Sequence, residues 1–140
     1  ITKALPTIEG EVNNILSQLV DFQMLFEMDG KNINNYIVYD DDNVWPLELS
    51  SGMERFISSL AIRVALINVS NLPRSNFLAI DEGWGTMDSD NLNSVYSLFQ
   101  YLKSQFQFTL IVSHIDSMRD AVDTLLEIKK EKNYSNIMFD

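Results

Sequence analysis

Two short apolar runs in this chain end in residues that can do chemistry. Asn76-Phe77-Leu78-Ala79-Ile80 leads into Asp81-Glu82-Gly83, and Thr109-Leu110-Ile111-Val112 leads into Ser113-His114. An apolar strand followed by Asp-Glu suits a nucleotide hydrolase. The Asp holds magnesium, usually through water, the magnesium neutralises the phosphates, and the Glu polarises the attacking water. The plainer reading is a strand ending in an acidic turn, with Asp81 capping the next segment. His114 suits donation of a hydrogen bond to a γ-phosphate, whose loss it would then sense. Alone at a strand end, a His is more often a surface or hydrogen-bonded core residue. What joins it to Asp81-Glu82 is that both runs are expected in one sheet, and ligands of open α/β sheets lie beyond the carboxyl ends of the strands.

The third feature is Leu49-Ser50-Ser51-Gly52-Met53-Glu54-Arg55. Ser51 and Glu54 have capping-box spacing, hydroxyl to the N3 amide and carboxylate back to the cap. The same geometry suits a phosphate, because a Ser-Gly helix start presents amide donors, a hydroxyl and the positive end of the helix dipole. Gly52 lets the backbone approach closely.

Periodicity predicts the elements that must position these residues. Ile8, Val12, Ile15, Leu16 and Leu19 have helical spacing, so Pro6 to Val20 is predicted as an amphipathic helix. Phe22 to Met28 and Tyr36 to Tyr39 are predicted strands, with Asp29-Gly30 as a turn and Asp40-Asp41-Asp42 ending a small antiparallel unit. Phe56 to Val69 is a predicted helix with a wide apolar face, stopped by Pro73. Asp88 to Phe106 is another, with Asp88, Ser89 and Asp90 crowding its start as caps and first-turn acids. The two apolar strands and the helix between them make a βαβ unit, expected in a parallel sheet covered on both faces. A short helix near Ser117 to Asp123 and strands near Leu125 to Lys129 and Asn136 to Phe139 come after it.

Composition bounds the alternatives. The 140 residues suit about one domain, and 46% hydrophobic content with eight Phe, five Tyr and two Trp supports a core. Ten Lys+Arg against twenty Asp+Glu leave a formal charge of -10, which argues against a stand-alone nucleic-acid binder while leaving room for a basic partner. With no Cys and one His, disulfide scaffolds, thiol catalysis and multi-His metal sites are out. No apolar run spans a membrane and no signal peptide opens the chain, so an intracellular soluble setting, cytoplasmic or nuclear, is expected.

The order of these motifs resembles the C-terminal half of an ABC-type ATPase head of the SMC-like DNA-repair kind, the SbcC or "rad fifty" family. Ser51-Gly52-Met53-Glu54 looks like its signature motif and Phe77 to Glu82 like Walker B. Gly85-Thr86-Met87-Asp88 looks like the D-loop, and Val112-Ser113-His114 like the switch His. The run Asp81-Glu82-Gly83-Trp84-Gly85-Thr86-Met87-Asp88 is close to the SbcC pattern DEGFGTLD. The likeness covers about Leu49 to Lys130. It implies an α/β fold, the C-terminal half of a P-loop ATPase head. That half has a parallel βαβ core, a small antiparallel unit and a helix over residues 1–21 rooting a coiled-coil arm, with the lobe proper over 22–140.

Two departures stand out. Ser50 replaces the usual Leu of the signature and Met53 its second Gly; sliding the register one place makes Ser50 the signature Ser but loses Glu54. Met53 falls within the helix start, so its amide is kept while the close approach of Gly is lost. No GxxxxGK[ST] occurs, so the phosphate-cradling loop is absent from these residues. In this family it lies on an N-terminal lobe, and the chain reads as one lobe of a split head.

The resemblance implies an ATPase that is active only when joined to that Walker A lobe. Two heads would close around ATP and Mg2+, with Asp81 on the metal, Glu82 and His114 acting in one head, and Ser51, Gly52, Met53 and Glu54 reaching from the other. Gly85, Thr86 and Asp88 would form the D-loop. Implied partners are the Walker A lobe, a second head, an Mre-type nuclease and, through the whole complex, DNA. The face toward the Walker A lobe should be apolar. The alternatives are a lobe of another ABC or SMC ATPase, or a non-hydrolysing scaffold.

Overall fold

The computed structural model describes residues 3–81, 92–114 and 116–139. The chain opens with α1 (Leu5–Leu16), which carries Pro6 in its first turn, where a missing amide hydrogen costs nothing. β1 (Gln23–Asp29), β2 (Asn32–Asp40) and β3 (Asn43–Pro46) form an antiparallel sheet in that order. A short 3-10 turn, η1 (Leu47–Leu49), leads into the long helix α2 (Gly52–Val69). β4 (Phe77–Asp81) and β5 (Phe108–Val112) pair in parallel, with α3 (Leu92–Gln105) between them in the chain. A second 3-10 segment, η2 (Asp116–Ala121), precedes the hairpin of β6 (Leu126–Glu131) and β7 (Tyr134–Phe139).

The core forms where the apolar stripes of the helices meet. Val12, Ile15 and Leu16 of α1, Ile57, Leu60, Ala61 and Val64 of α2, and Val95, Leu98 and Leu102 of α3 are buried together with Met24 and Ile37 of the antiparallel sheet. α1 also closes the outer edge of β1. The Asn13 side chain donates to the Met24 carbonyl (2.9 Å) and accepts from the Met24 amide (2.8 Å), and Glu9 accepts from the Phe26 amide (2.8 Å). An edge strand otherwise offers unpaired amides and carbonyls, and here a helix satisfies them.

The antiparallel unit has three strands rather than the two expected. Asp40-Asp41-Asp42 does not end it. The Asp40 carboxylate accepts from the Asp42 amide (3.0 Å) and the Asn43 side chain (2.8 Å), an Asx-type turn that sends the chain back as β3. These bonds hold the Asp40 carboxyl below the usual carboxylate range, with the Asn43 side chain contributing most. The Asp29-Gly30 turn is where the residues predict it, with Gly30 at φ +61°.

The βαβ unit also forms as expected, and among the described residues its sheet is covered on one side only. Phe77, Phe108, Leu110 and Val112 stay exposed while Ile80 is buried, because the helices of this chain reach one face of two strands. The predicted caps Asp88, Ser89 and Asp90 lie outside the described residues.

Candidate functional site

Two groups of residues form at different places. At the carboxyl end of the parallel pair, Asp81 closes β4 level with Val112 of β5, and Ser113 and His114 follow Val112 past the same edge. Adjacent strands run about 4.8 Å apart, so the backbones carrying Asp81 and Ser113-His114 are neighbours at one rim. Asp81 and His114 are both exposed there. The Ser113 hydroxyl instead turns inward to the Met118 sulfur (3.3 Å). Glu82, Gly85, Thr86 and Asp88 lie outside the described residues.

Among the described residues, no three His, Cys, Asp or Glu side chains converge to hold a metal. Asp81 offers a carboxylate, a hard oxygen donor, at this rim. Such a donor fits Mg2+ bound with a nucleotide, because that ion takes most of its ligands from water and phosphate.

The second group is the start of α2. Ser51 is its N-cap, in extended backbone conformation (φ -64°, ψ 161°). Its hydroxyl accepts from the Glu54 amide (3.2 Å), and its own amide donates to Glu54 Oε2 (2.6 Å), which completes the capping box. The Gly52 and Met53 amides come before the first carbonyl of the helix can reach back to them, so they add donors at the same end. The Met53 side chain packs against the core, so its bulk is directed away from that end. Ser50 is nearly buried and its hydroxyl donates back to the Leu47 carbonyl. Of the two serines, Ser51 is the one presented to solvent.

Sequence reasoning missed a third participant. Tyr39 reaches across from β2 and donates to Glu54 Oε1 (2.8 Å). Burial first, then the hydrogen bond and charge of Glu54 and the charge of Asp21, push its hydroxyl up to about 12. It therefore stays protonated, a donor, at any physiological pH. Burial tends to raise the Glu54 carboxyl, but hydrogen bonds from the Ser51 amide, the Tyr39 hydroxyl and the Ser51 hydroxyl outweigh it and hold it below the usual range. An aromatic residue just before an acidic turn was the available signal, and nothing local ties it to a glutamate 15 positions on.

A carboxyl held low in the folded state stabilises fully above its unfolded pKa, and that contribution is lost as pH falls through the folded value. Glu54→Gln should therefore lower the melting temperature of this lobe by a few degrees near neutral pH. The gap to the parent should close as pH falls below about 4.5. Thermal unfolding followed from about pH 7 to about pH 3 checks this.

A cleft beside the α2 start is lined by Ser17 to Phe22, Tyr39, Ser51, Met53, Glu54, Ile57 and Ser94. Neither Asp81 nor His114 lines it. The structure thus brings Asp81 together with His114, and Ser51 together with Glu54, without joining the two pairs.

The fold is similar to that of solved SMC head structures. A chain from a study of ATP-driven dimerization and DNA-stimulated activation of SMC ATPases superposes with a TM-score of 0.78 over 99% of this chain and 86% of that one, at 15% identity. The SMC head domain of Thermotoga maritima superposes with a TM-score of 0.68 over 99% and 49%, at 22% identity. In sequence, the chain is 37% identical over 150 residues to an uncharacterised protein of Acanthamoeba polyphaga mimivirus, covering 96% of this chain and 11% of the relative. It is 30% identical over 93 residues to the SbcC component of the nuclease SbcCD of Staphylococcus aureus (strain JH9), covering 64% and 9%. The chain thus spans about a tenth of the length of these curated relatives. No family model matches it. No helix among the described residues is long and apolar enough to cross a membrane.

Proposed function

We propose that this chain is the C-terminal lobe of an ATP-binding and ATP-hydrolysing head of the SbcC or "rad fifty" kind, which dimerises on ATP and drives DNA-end processing with an Mre-type nuclease. The observation that carries this is the separation of the two groups. Asp81 and His114 share a sheet rim, and the Ser51 cap opens on a cleft that neither of them lines. Each group is half of a nucleotide site. Two such lobes facing each other, each joined to a Walker A lobe, make two whole sites. The likeness to an SbcC protein and the run Asp81 to Asp88 favour the DNA-end-processing kind.

In this reading Asp81 holds Mg2+, which offsets phosphate charge when bound. Glu82 positions the attacking water and His114 donates toward the terminal phosphate. The Ser51 hydroxyl and the amides of Gly52 and Met53 donate to the phosphate held by the opposite head, with Glu54 fixing the cap. Gly85, Thr86 and Asp88 belong to the D-loop between the heads. The exposed apolar face of Phe77, Phe108, Leu110 and Val112 receives the Walker A lobe, and residues 1–21 root the coiled-coil arm. A second reading, a chromosome-organising SMC head, is favoured by solved neighbours such as the SMC head bound to a domain of ScpA.

The test is a hydrolysis assay on this chain alone and on the complete protein that carries it. The complete protein should turn over ATP and dimerise on Mg-ATP, while the 140-residue chain, which lacks the phosphate loop, should do neither. Turnover by the chain alone overturns the split-site reading.

A further inference from the structure

Tyr39 occupies an irregular place in its sheet. β2 and β3 pair Val38 with Val44 and then Asp40 with Asn43, so the register shifts between Val38 and Asp40, at Tyr39. Such a bulge turns a side chain away from the direction regular alternation would give it. The ring is held on two sides, stacked on Trp45 (centroids 5.4 Å apart, 30° between planes) and tilted against Phe22 (5.6 Å, 55°). Its hydroxyl is therefore fixed by the antiparallel sheet rather than by α2, the helix it meets. The Glu54 carboxylate joins the two: Oε1 accepts from Tyr39 and Oε2 from the Ser51 amide. A carboxylate bonded through both oxygens cannot rotate freely, so the sheet sets its plane and the carboxylate sets the Ser51 backbone.

We propose that Tyr39 is a positioning residue for Ser51, fixing through Glu54 the direction in which the Ser51 hydroxyl and the first amides of α2 face the phosphate of a nucleotide held by another head. This rests on the proposed function of Ser51. Without the Tyr39 hydroxyl, Glu54 keeps its bond to the Ser51 amide but can swing about its side chain, and the cap loses its fixed aim.

The test uses the complete protein with Mg-ATP. Tyr39→Phe keeps the stacked ring and removes only the donor. The protein concentration for half-maximal ATP-dependent dimerisation should rise on the order of tenfold, as for loss of one hydrogen bond to a charged acceptor. Nucleotide binding by the undimerised head should stay near that of the parent, whereas a general loss of folded structure would lower it together with dimerisation. Adding Tyr39→Phe to Glu54→Ala should weaken dimerisation no further, because Glu54→Ala already removes both acceptor oxygens of the linkage. Parent-like dimerisation by Tyr39→Phe, while Ser51→Arg fails to dimerise, overturns this inference and leaves the proposed function standing. Additive losses in the double variant overturn it as well. Parent-like dimerisation by Ser51→Arg overturns the proposed function, and this inference with it.

Discussion

Glu82→Gln in the complete protein should slow ATP hydrolysis about a hundredfold or more while ATP-bound dimers accumulate. The amide can still form a hydrogen bond to water, but it can neither take up a proton nor orient the water through charge. Binding of Mg-ATP does not depend on it, so the closed dimer forms and fails to reopen. Asp81→Asn gives the contrast. Asp81 ends β4 at the exposed rim, level with Val112, and is the residue assigned to magnesium. Its loss should weaken Mg-ATP binding and dimerisation together, because a neutral amide is a far poorer ligand for a hard dication. Sedimentation or light scattering with Mg-ATP, beside a hydrolysis assay, separates the two variants. A Glu82→Gln protein that stays monomeric, or hydrolyses at the parental rate, would reduce Glu82 to a strand-end acid.

Ser51→Arg should abolish ATP-dependent dimerisation and leave nucleotide binding by the single head close to normal. Three effects act in one direction. The hydroxyl donor is lost, a long side chain fills the space where the phosphate of the other head must come, and a cation is placed at the positive end of the α2 dipole. The loss of an N-cap costs only about 1 kcal/mol, and the core face of α2, with Ile57, Leu60, Ala61 and Val64, is untouched. The lobe should therefore stay folded. Ser51→Ala, which removes the hydroxyl without adding bulk, should weaken dimerisation by less. Nucleotide binding measured below the dimerisation range separates the alternatives, since loss of binding there would put Ser51 on the nucleotide of its own head.

Much of this was legible in the residues. The apolar runs at Phe77 to Ile80 and Thr109 to Val112 form parallel strands, and the spacing of Ser51 and Glu54 forms the capping box it predicts. The α1 stripe of Val12, Ile15 and Leu16 is buried as its period requires, although the helix ends at Leu16, short of Val20. Where the reading failed, a side chain had overruled composition. Three successive Asp residues look like the end of a sheet, yet the Asp40 carboxylate bonds to the Asp42 amide and the Asn43 side chain and folds the chain back into β3. The second cover of the parallel pair is not among the described residues of this chain, because periodicity says that a face is apolar without saying which part of a protein covers it.

The sequence by itself determined which residue types stand at strand ends and at the start of α2, and in what order, because short-range spacing controls helix caps and strand alternation. Only the tertiary structure decided that Ser51 opens away from the rim where Asp81 and His114 were expected together. It alone ties Tyr39 to Glu54 and locks Asn13 and Glu9 onto the edge of β1. Those bonds join residues 11 to 17 positions apart on different elements. No local period encodes such pairs; they form because buried helix faces and a bulged strand bring the partners within hydrogen-bonding distance.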